Sequence, residues 1–120
     1  MPGVERRDFS SPDETRTPEK ATVELVNLGG GQIGRYTFQP GWRWSECIKP
    51  VVGTESCQLE HIGYVVSGRL RASHEDGSEG EVGPGDVYRI LPGHDGWVVG
   101  EEPAVLVEFQ GASTFAKPAS

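Results

Sequence analysis

The stretch from residue 63 to residue 97 constrains the fold more than any other part of the chain. Residues 63–70 (Gly-Tyr-Val-Val-Ser-Gly-Arg-Leu) and residues 83–97 (Gly-Pro-Gly-Asp-Val-Tyr-Arg-Ile-Leu-Pro-Gly-His-Asp-Gly-Trp) each contain an apolar run. A glycine or a Pro-Gly pair closes each run, which is typical of short antiparallel strands. The second run brings His94 to the loop beyond its end, as expected at the mouth of a small β-barrel.

Turn signals recur at regular spacing along the remaining chain. Val23 and Leu25 alternate with polar residues before a triple glycine at residues 29–31, and a further strand is predicted at residues 42–49. About nine short strands in roughly 90 residues predict an all-β sandwich or small β-barrel. The 17 glycines and 9 prolines argue against long helices.

The length of 120 residues fits one compact domain with a single core. We expect a polar N-terminal arm at residues 1–20, a barrel at residues 21–110 and a C-terminal tail at residues 111–120. Prolines punctuate the arm, which at most starts a turn of helix. The arm is either a flexible tail or a segment that lies across a second subunit.

Charge and hydropathy exclude two classes of partner. The net charge is −7 and no block of Lys or Arg forms a stripe, so nucleic acid is not an expected partner. No apolar run reaches the roughly 20 residues of a membrane span, and the N-terminus lacks the apolar core of a secretory signal. We therefore expect a cytoplasmic protein.

One segment resembles the second sequence motif of the cupin superfamily, which is a glycine, five residues, Pro-x-Gly, two residues and a histidine. Gly85 stands at the start of the motif, and Gly93 matches its second glycine. Leu91 takes the proline position, and Gly96 takes the histidine position, two residues after His94. The segment therefore brings a histidine near the metal-binding position of the motif.

The first cupin motif is a glycine, five residues, His-x-His, three or four residues, Glu, six residues and a glycine. Aligning Gly68 with its end puts His61 at the Glu position. Aligning Gly41 with its start puts Cys47 and Lys49 at the two His positions. Every residue that usually holds the metal in this family is thus replaced.

The resemblance runs from about residue 40 to residue 109, and it is strongest to small stand-alone bacterial cupins. It implies a jelly-roll-like double-stranded β-helix with a small organic molecule bound inside. A divalent ion such as zinc, nickel, manganese or iron would then be held by non-standard ligands. Two functions follow: a metal-dependent enzyme of oxygenase, isomerase or lyase type, or a metal-free module that binds or senses a small molecule.

The candidate metal ligands are His61, His94 and Cys47. If residues 57–66 form one strand, His61 shares an inward face with Leu59 and Val65. A buried imidazole needs a partner, so His61 is either a hydrogen-bonded core residue or a ligand in the pocket. His94 is either an exposed loop residue or a second ligand, and each His→Ala change is expected to cost most of the metal while the fold stays intact.

The two cysteines lead to different expectations. A thiolate at Cys47 would suit zinc or another soft metal. Cys57 and His61 would lie about 13 Å apart on one straight strand, which is too far for a shared ion. Cys47 and Cys57 are either two small buried thiols or a disulfide, which would be unusual in the cytosol.

Other side chains are candidates for lining the ligand pocket. Strand alternation lets Lys49 face the same side as Cys47, although Lys49 could equally reach water at the strand end. Glu46 would face the opposite side unless a bulge intervenes. The pocket candidates are Lys49, Glu46, Asp95, Tyr88 and Trp97.

A homodimer is expected from the aromatic residues. Trp42 and Trp44 share one face of the predicted strand, where they could pack in the core, cover an interface or stack on a ligand. With the N-terminal arm they exceed what a small barrel can cover, and a symmetric pair would bury them.

Overall fold

The computed structural model describes residues 3–110 and 115–117 of the chain. Within these ranges the chain forms short antiparallel strands and two four-residue helices. No helix among the described residues has the length and apolar character needed to cross a membrane. The elements, in chain order, are β1 (Glu14–Arg16), β2 (Ala21–Leu28), β3 (Gly31–Phe38), α1 (Trp44–Cys47), α2 (Lys49–Val52), β4 (His61–Ser67), β5 (Leu70–His74), β6 (Glu79–Val82), β7 (Val87–Ile90), β8 (His94–Val98) and β9 (Ala104–Gln110).

The strands form two antiparallel sheets. The larger sheet has the order β1-β2-β3-β9-β4-β7, and the smaller has the order β6-β5-β8. Isolated bridges from Arg43 to Trp97 and from Cys57 to His94 attach the segment between β3 and β4 to the smaller sheet. The predicted all-β architecture is confirmed.

Alternation of apolar and polar residues explains which side of each strand is buried. In β2 the side chains of Val23 and Leu25 are fully buried, and in β4 the inward positions are His61, Gly63 and Val65. Full burial of one aliphatic side chain stabilises the fold by about 1.5–3 kcal/mol. The apolar core therefore fixes the register of β4, and with it the inward direction of His61.

The strand predicted at residues 42–49 is wrong, because this segment forms α1 and α2 instead. Trp44, Cys47 and Ile48 are all buried, and their spacing of three and four residues is that of one helix face. Gly53, at a φ of 82°, ends α2 in the left-handed conformation that glycine adopts without strain. The helical spacing was present in the sequence beside the period-two pattern.

Both termini contact the barrel where they are described. Residues 14–16 of the predicted N-terminal arm form β1 and pair with β2 of the same chain. Phe115, from the predicted C-terminal tail, is buried and stacks on Tyr36 with ring centroids 4.7 Å apart. Residues 111–114 and 118–120 of that tail lie outside the described residues.

Gly63 is a point where two strands approach too closely for a side chain. A Cβ atom there would lie 2.6 Å from the Tyr88 hydroxyl oxygen and 2.6 Å from the Val107 carbonyl oxygen. We expect Gly63→Ala to lower the free energy of unfolding by about 3 kcal/mol, measured by urea denaturation. Gly80→Ala in β6 is the control, because a Cβ there meets nothing within 4 Å. Equal unfolding midpoints for the two variants would contradict this prediction.

Candidate metal centre

Three buried side chains come together inside the barrel. Cys57, His61 and His94 are 3%, 4% and 6% exposed. One potential ligand atom from each of them lies within 4.8 Å of the other two. A thiolate and two imidazoles form a donor set that soft and borderline metal ions prefer.

The fold brings these residues together from both sheets. His61 is the first residue of β4 in the larger sheet, and His94 is the first residue of β8 in the smaller sheet. Cys57 is attached to β8, since its backbone N–H donates to the His94 carbonyl at 2.8 Å. The chain therefore does not run straight from Cys57 to His61, and the Cys57 Sγ lies 3.5 Å from the His61 Nε2. The expectation that these two residues are too far apart to share an ion is wrong.

Hydrogen bonds orient both imidazoles. The Nδ1 atom of His61 lies 2.7 Å from a Glu108 carboxylate oxygen, and the Nδ1 atom of His94 lies 2.7 Å from the Leu91 carbonyl oxygen. Carbonyl and carboxylate oxygens only accept, so each Nδ1 carries the proton. In neutral imidazoles each Nε2 then has a free lone pair, an arrangement that is common for metal-binding histidines.

Glu108 is itself held in place. Its second carboxylate oxygen accepts a hydrogen bond from the Tyr88 hydroxyl at 2.6 Å. Burial, together with the charge of Glu108, raises the pKa of Tyr88, so this hydroxyl keeps its proton. Tyr88, Glu108 and His61 thus form one buried chain of hydrogen bonds that ends at the candidate ligands.

Without a metal, neighbouring side chains of the cluster carry opposite charges. Burial opposes protonation of His61, but the charge of Glu108 and the hydrogen bonds with Cys57 and Glu108 together outweigh it and raise the pKa of His61 to about 10. Burial also disfavours the Cys57 thiolate, yet hydrogen bonding with the His61 and His94 side chains lowers the pKa of that thiol to about 6. At neutral pH the metal-free site is therefore a thiolate paired with an imidazolium.

The spacing of one pair in this donor set, Cys57 and His61, suits zinc. With Zn–S near 2.3 Å and Zn–N near 2.0–2.1 Å, the sulfur and nitrogen ligands of a tetrahedral ion lie about 3.6 Å apart. The observed separation of Cys57 Sγ and His61 Nε2 is 3.5 Å. Three protein ligands would leave a fourth position of the tetrahedron for water or a substrate.

Two adjoining cavities reach the cluster. An inner cavity of about 30 Å³ is lined by His61, His94, Glu108 and aromatic side chains. An outer cavity of about 330 Å³ lies between β6 and β7, which are edge strands of the two sheets. The two cavities share four lining residues: Leu70, Ala72, Ile90 and His94.

Not all predicted site residues join the cluster. His61 and His94 do, whereas Cys47 lies on α1 in the apolar core, and Cys57 is the cysteine of the cluster. Both cysteines are free thiols in the structure. Glu46 is exposed near Arg43, and Lys49 pairs with Glu55 at the surface.

The remaining pocket candidates have other contacts. Tyr88 bonds Glu108 and also lines the outer cavity. Asp95 accepts hydrogen bonds from the Ser45 backbone N–H and the Arg43 guanidinium. Trp97 lies beneath the same guanidinium, 4.2 Å from its central carbon. Asp95 and Trp97 therefore hold the segment before α1 against β8.

Sequence reasoning missed Glu108. It is 2% exposed on β9, where it shares the inward face with Ala104 and Leu106. A lone acid at an inward position of an apolar strand needs a charged or hydrogen-bonding partner, and that signal was available. Glu108 is therefore a positioning residue for His61.

Replacing Glu108 by Gln should weaken zinc binding without removing a ligand. Loss of its charge weakens the hydrogen bond that the His61 Nδ1–H donates, and such changes typically lower metal affinity about 10- to 100-fold. Calorimetric titration with zinc, with the affinity corrected for the protons that binding releases, measures this effect. Glu102→Gln, on an exposed turn, is the control. Unchanged zinc affinity in Glu108→Gln would show that Glu108 does not position a metal ligand.

Comparison with known proteins confirms the predicted cupin-like fold. No protein-family model matches the sequence, and the curated proteins include no significant match. A Rhizobium leguminosarum protein of unknown function is 24% identical, with 89% of this chain and 95% of that chain covered and a TM-score of 0.64. The polyketide cyclase RemF from Streptomyces resistomycificus is 17% identical, with 91% and 80% covered and a TM-score of 0.62. The Schizosaccharomyces pombe Cnp3 cupin domain is 12% identical, with 84% and 69% covered and a TM-score of 0.59.

Proposed function

We propose that this chain, which has a cupin fold, is a zinc-dependent enzyme that acts on a small organic molecule bound next to the ion. Cys57, His61 and His94 would hold the metal. The observation that carries the proposal is the burial of their three ligand atoms within 4.8 Å of one another, with both imidazoles oriented through Nδ1. A histidine that only packs in the core would not need two further potential ligands beside it.

The donor set favours zinc over manganese. Thiolate and imidazole ligands suit zinc, whereas manganese prefers oxygen ligands. Zinc with three protein ligands is typical of catalytic sites, since structural sites usually have four. Zinc does not change its oxidation state, which favours isomerase or lyase chemistry over an oxygenase.

In such a site the ion would act as a Lewis acid that polarises an oxygen of the substrate. The residues of the chain orient the ligands and exclude water. Glu108 fixes the ring of His61, and the Leu91 carbonyl fixes the ring of His94. Burial of the cluster excludes bulk water, which strengthens electrostatic interactions with the substrate. The outer cavity provides room for the substrate beyond His94.

Metal titration tests the proposal. After treatment with a chelator, the protein should bind one zinc ion per chain, measured by calorimetry and elemental analysis. Cys57→Ser should lose most of this binding, whereas Cys47→Ser should keep it, because Cys47 is the buried thiol outside the cluster. Equal effects of the two substitutions would contradict the assignment of Cys57 as a ligand.

The alternative is a metal-free module that binds a small molecule without reaction. It is favoured by the thiolate–imidazolium pairing, which satisfies Cys57 and His61 without an ion. If zinc, nickel, manganese and ferrous iron all fail to bind in stoichiometric amount, the metalloenzyme proposal falls and this alternative replaces it.

We also propose a homodimer, on a different surface from the one expected. Trp42 and Trp44 are buried in the core of their own barrel, so they do not provide an interface. The outer face of β4 and β7 instead carries Tyr64, Val66 and Val87, and Val87 is 80% exposed. A second copy that stacks on this face would bury it through a symmetric contact.

The dimer makes a prediction about mass in solution. Light scattering at micromolar concentration should give twice the chain mass of 13.0 kDa. Introducing charge with Val66→Glu and Val87→Glu together should return the monomer, because desolvating two carboxylates on each copy opposes association. Val51→Glu, at an exposed valine on α2, is the control. A monomeric unmutated protein would contradict the proposal.

A further inference from the structure

Two buried polar groups beside the metal centre have no hydrogen-bond partner among the described residues. They are the indole Nε1–H of Trp42 and the hydroxyl of Tyr36. Both side chains are almost completely buried, at 3% and 1% exposure. Both also line the inner cavity together with His61 and His94. Buried polar groups of folded proteins are nearly always paired, so these two need an explanation.

Aromatic stacking holds both groups in place. The Trp42 ring stacks on Phe38 with centroids 3.9 Å apart and an interplanar angle of 15°. The Tyr36 ring stacks on Phe115 with centroids 4.7 Å apart and an angle of 27°. Neither polar group can therefore turn toward another partner without disrupting the core, and a binding site benefits from groups that are fixed in advance.

The chemistry of both groups points to an acceptor. An indole N–H can only donate. Burial, together with the charge of Glu108, raises the pKa of Tyr36 well above its ordinary value, so its hydroxyl keeps a proton to donate. The inner cavity of about 30 Å³ has room for two or three water molecules. A carboxylate group has this size and accepts from two donors at once.

We infer that Trp42 and Tyr36 bind the carboxylate of a small organic acid beside Cys57, His61 and His94. This inference rests on the proposed function and names its substrate class. The rest of the acid would extend past His94 into the outer cavity, whose shared walls at Leu70, Ala72 and Ile90 are apolar. At about 330 Å³ that cavity lies at the small end of ligand sites, which fits an acid with a short apolar body.

Nuclear magnetic resonance of the indole groups tests the inference directly. The three tryptophans give three indole N–H signals, which Trp→Phe variants assign. Butyrate, added to the zinc-loaded protein, should shift the Trp42 signal downfield in a saturable manner. Butylamine has the same apolar body without an acceptor, and it should leave the signal in place. A Trp42 signal that ignores butyrate, or responds equally to butylamine, would overturn the inference.

Variants provide the second measurement. Trp42→Phe and Tyr36→Phe should each weaken butyrate binding about tenfold or more, while zinc affinity stays within about threefold. Trp44→Phe is the control, since this residue lines the same cavity but its N–H is not among the buried unpaired groups. Equal butyrate affinity in all three variants would also overturn the inference.

The zinc and butyrate titrations test the metal centre and the acid site separately. Zinc binding without a butyrate response leaves the metal centre standing and refutes the acid site. A butyrate response at Trp42 in a protein that binds no zinc supports the acid site and refutes the metal centre. The titration itself uses the unmutated protein, and Trp44→Phe and Trp97→Phe assign the Trp42 signal by elimination even if Trp42→Phe does not fold.

Discussion

His94→Ala should lower zinc affinity about a hundredfold or more while the barrel stays folded. The substitution removes one of the three proposed metal ligands, and loss of a direct ligand costs more than the 10- to 100-fold typical of a supporting residue. The His94 side chain makes its Nδ1 hydrogen bond to a backbone carbonyl, so its removal leaves no buried charge behind. Calorimetric titration with zinc measures the affinity. Urea denaturation measures the stability of the barrel.

The third histidine is the natural control. His74 ends β5, where its Nε2 lies 2.7 Å from the Pro92 carbonyl oxygen, and it is not part of the buried cluster. His74→Ala should therefore keep zinc affinity. If His94→Ala also binds zinc as tightly as the unmutated protein, His94 is not a ligand.

His61→Ala should lose zinc as well, but not with an intact fold. Removing this imidazole leaves the Glu108 carboxylate buried without its closest cationic partner, although the Tyr88 hydroxyl still donates to it. Breaking a buried ion pair from one side typically costs about 3–5 kcal/mol. We therefore expect an intact fold for His94→Ala but not for His61→Ala.

The fold was predictable because it depends on local periodicity. Strands such as β4 alternate buried and exposed residues, and a wrong register would move His61 and Val65 to the solvent face. Glycine turns mark where the strands end. The same reasoning put His61 inside the barrel and brought His94 near its mouth.

The choice of cysteine was not predictable in this way. Cys57 precedes β4 in an irregular segment, and its place depends on a bridge to His94, 37 residues farther along the chain. Period-two reasoning assumes a straight strand through Cys57 and therefore separates it from His61. Tertiary pairing therefore decides which cysteine joins the buried cluster.

Glu108 is a second residue whose partner local sequence patterns could not identify. Its sequence position marks it as an acid on an inward strand face, but its partner depends on which strand lies beside β9. Pairing of β9 with β4 sets Glu108 opposite Gly63, two residues from His61. Strand order in the sheet is a property of the whole chain, so local patterns could not identify the pair.

Zinc affinity should rise with pH across the neutral range, by about tenfold per unit. In the metal-free protein the raised pKa of His61, at about 10, means that a proton occupies this imidazole. Zinc must displace that proton to bind. Affinity is therefore lost as pH falls from about 10, and more steeply below about 6, where the Cys57 thiolate also gains a proton.

Calorimetry in buffers of different ionisation enthalpy counts the protons released. At pH 7.5 the unmutated protein should release about one proton per zinc ion, and affinity should change about a hundredfold between pH 6.5 and pH 8.5. An ordinary histidine, with a pKa near 6.5, would give little change over this range. Glu108→Gln removes the charge that raises the pKa of His61, so its affinity should depend much less on pH. Affinity that is independent of pH in the unmutated protein would show that His61 binds no proton that zinc must displace.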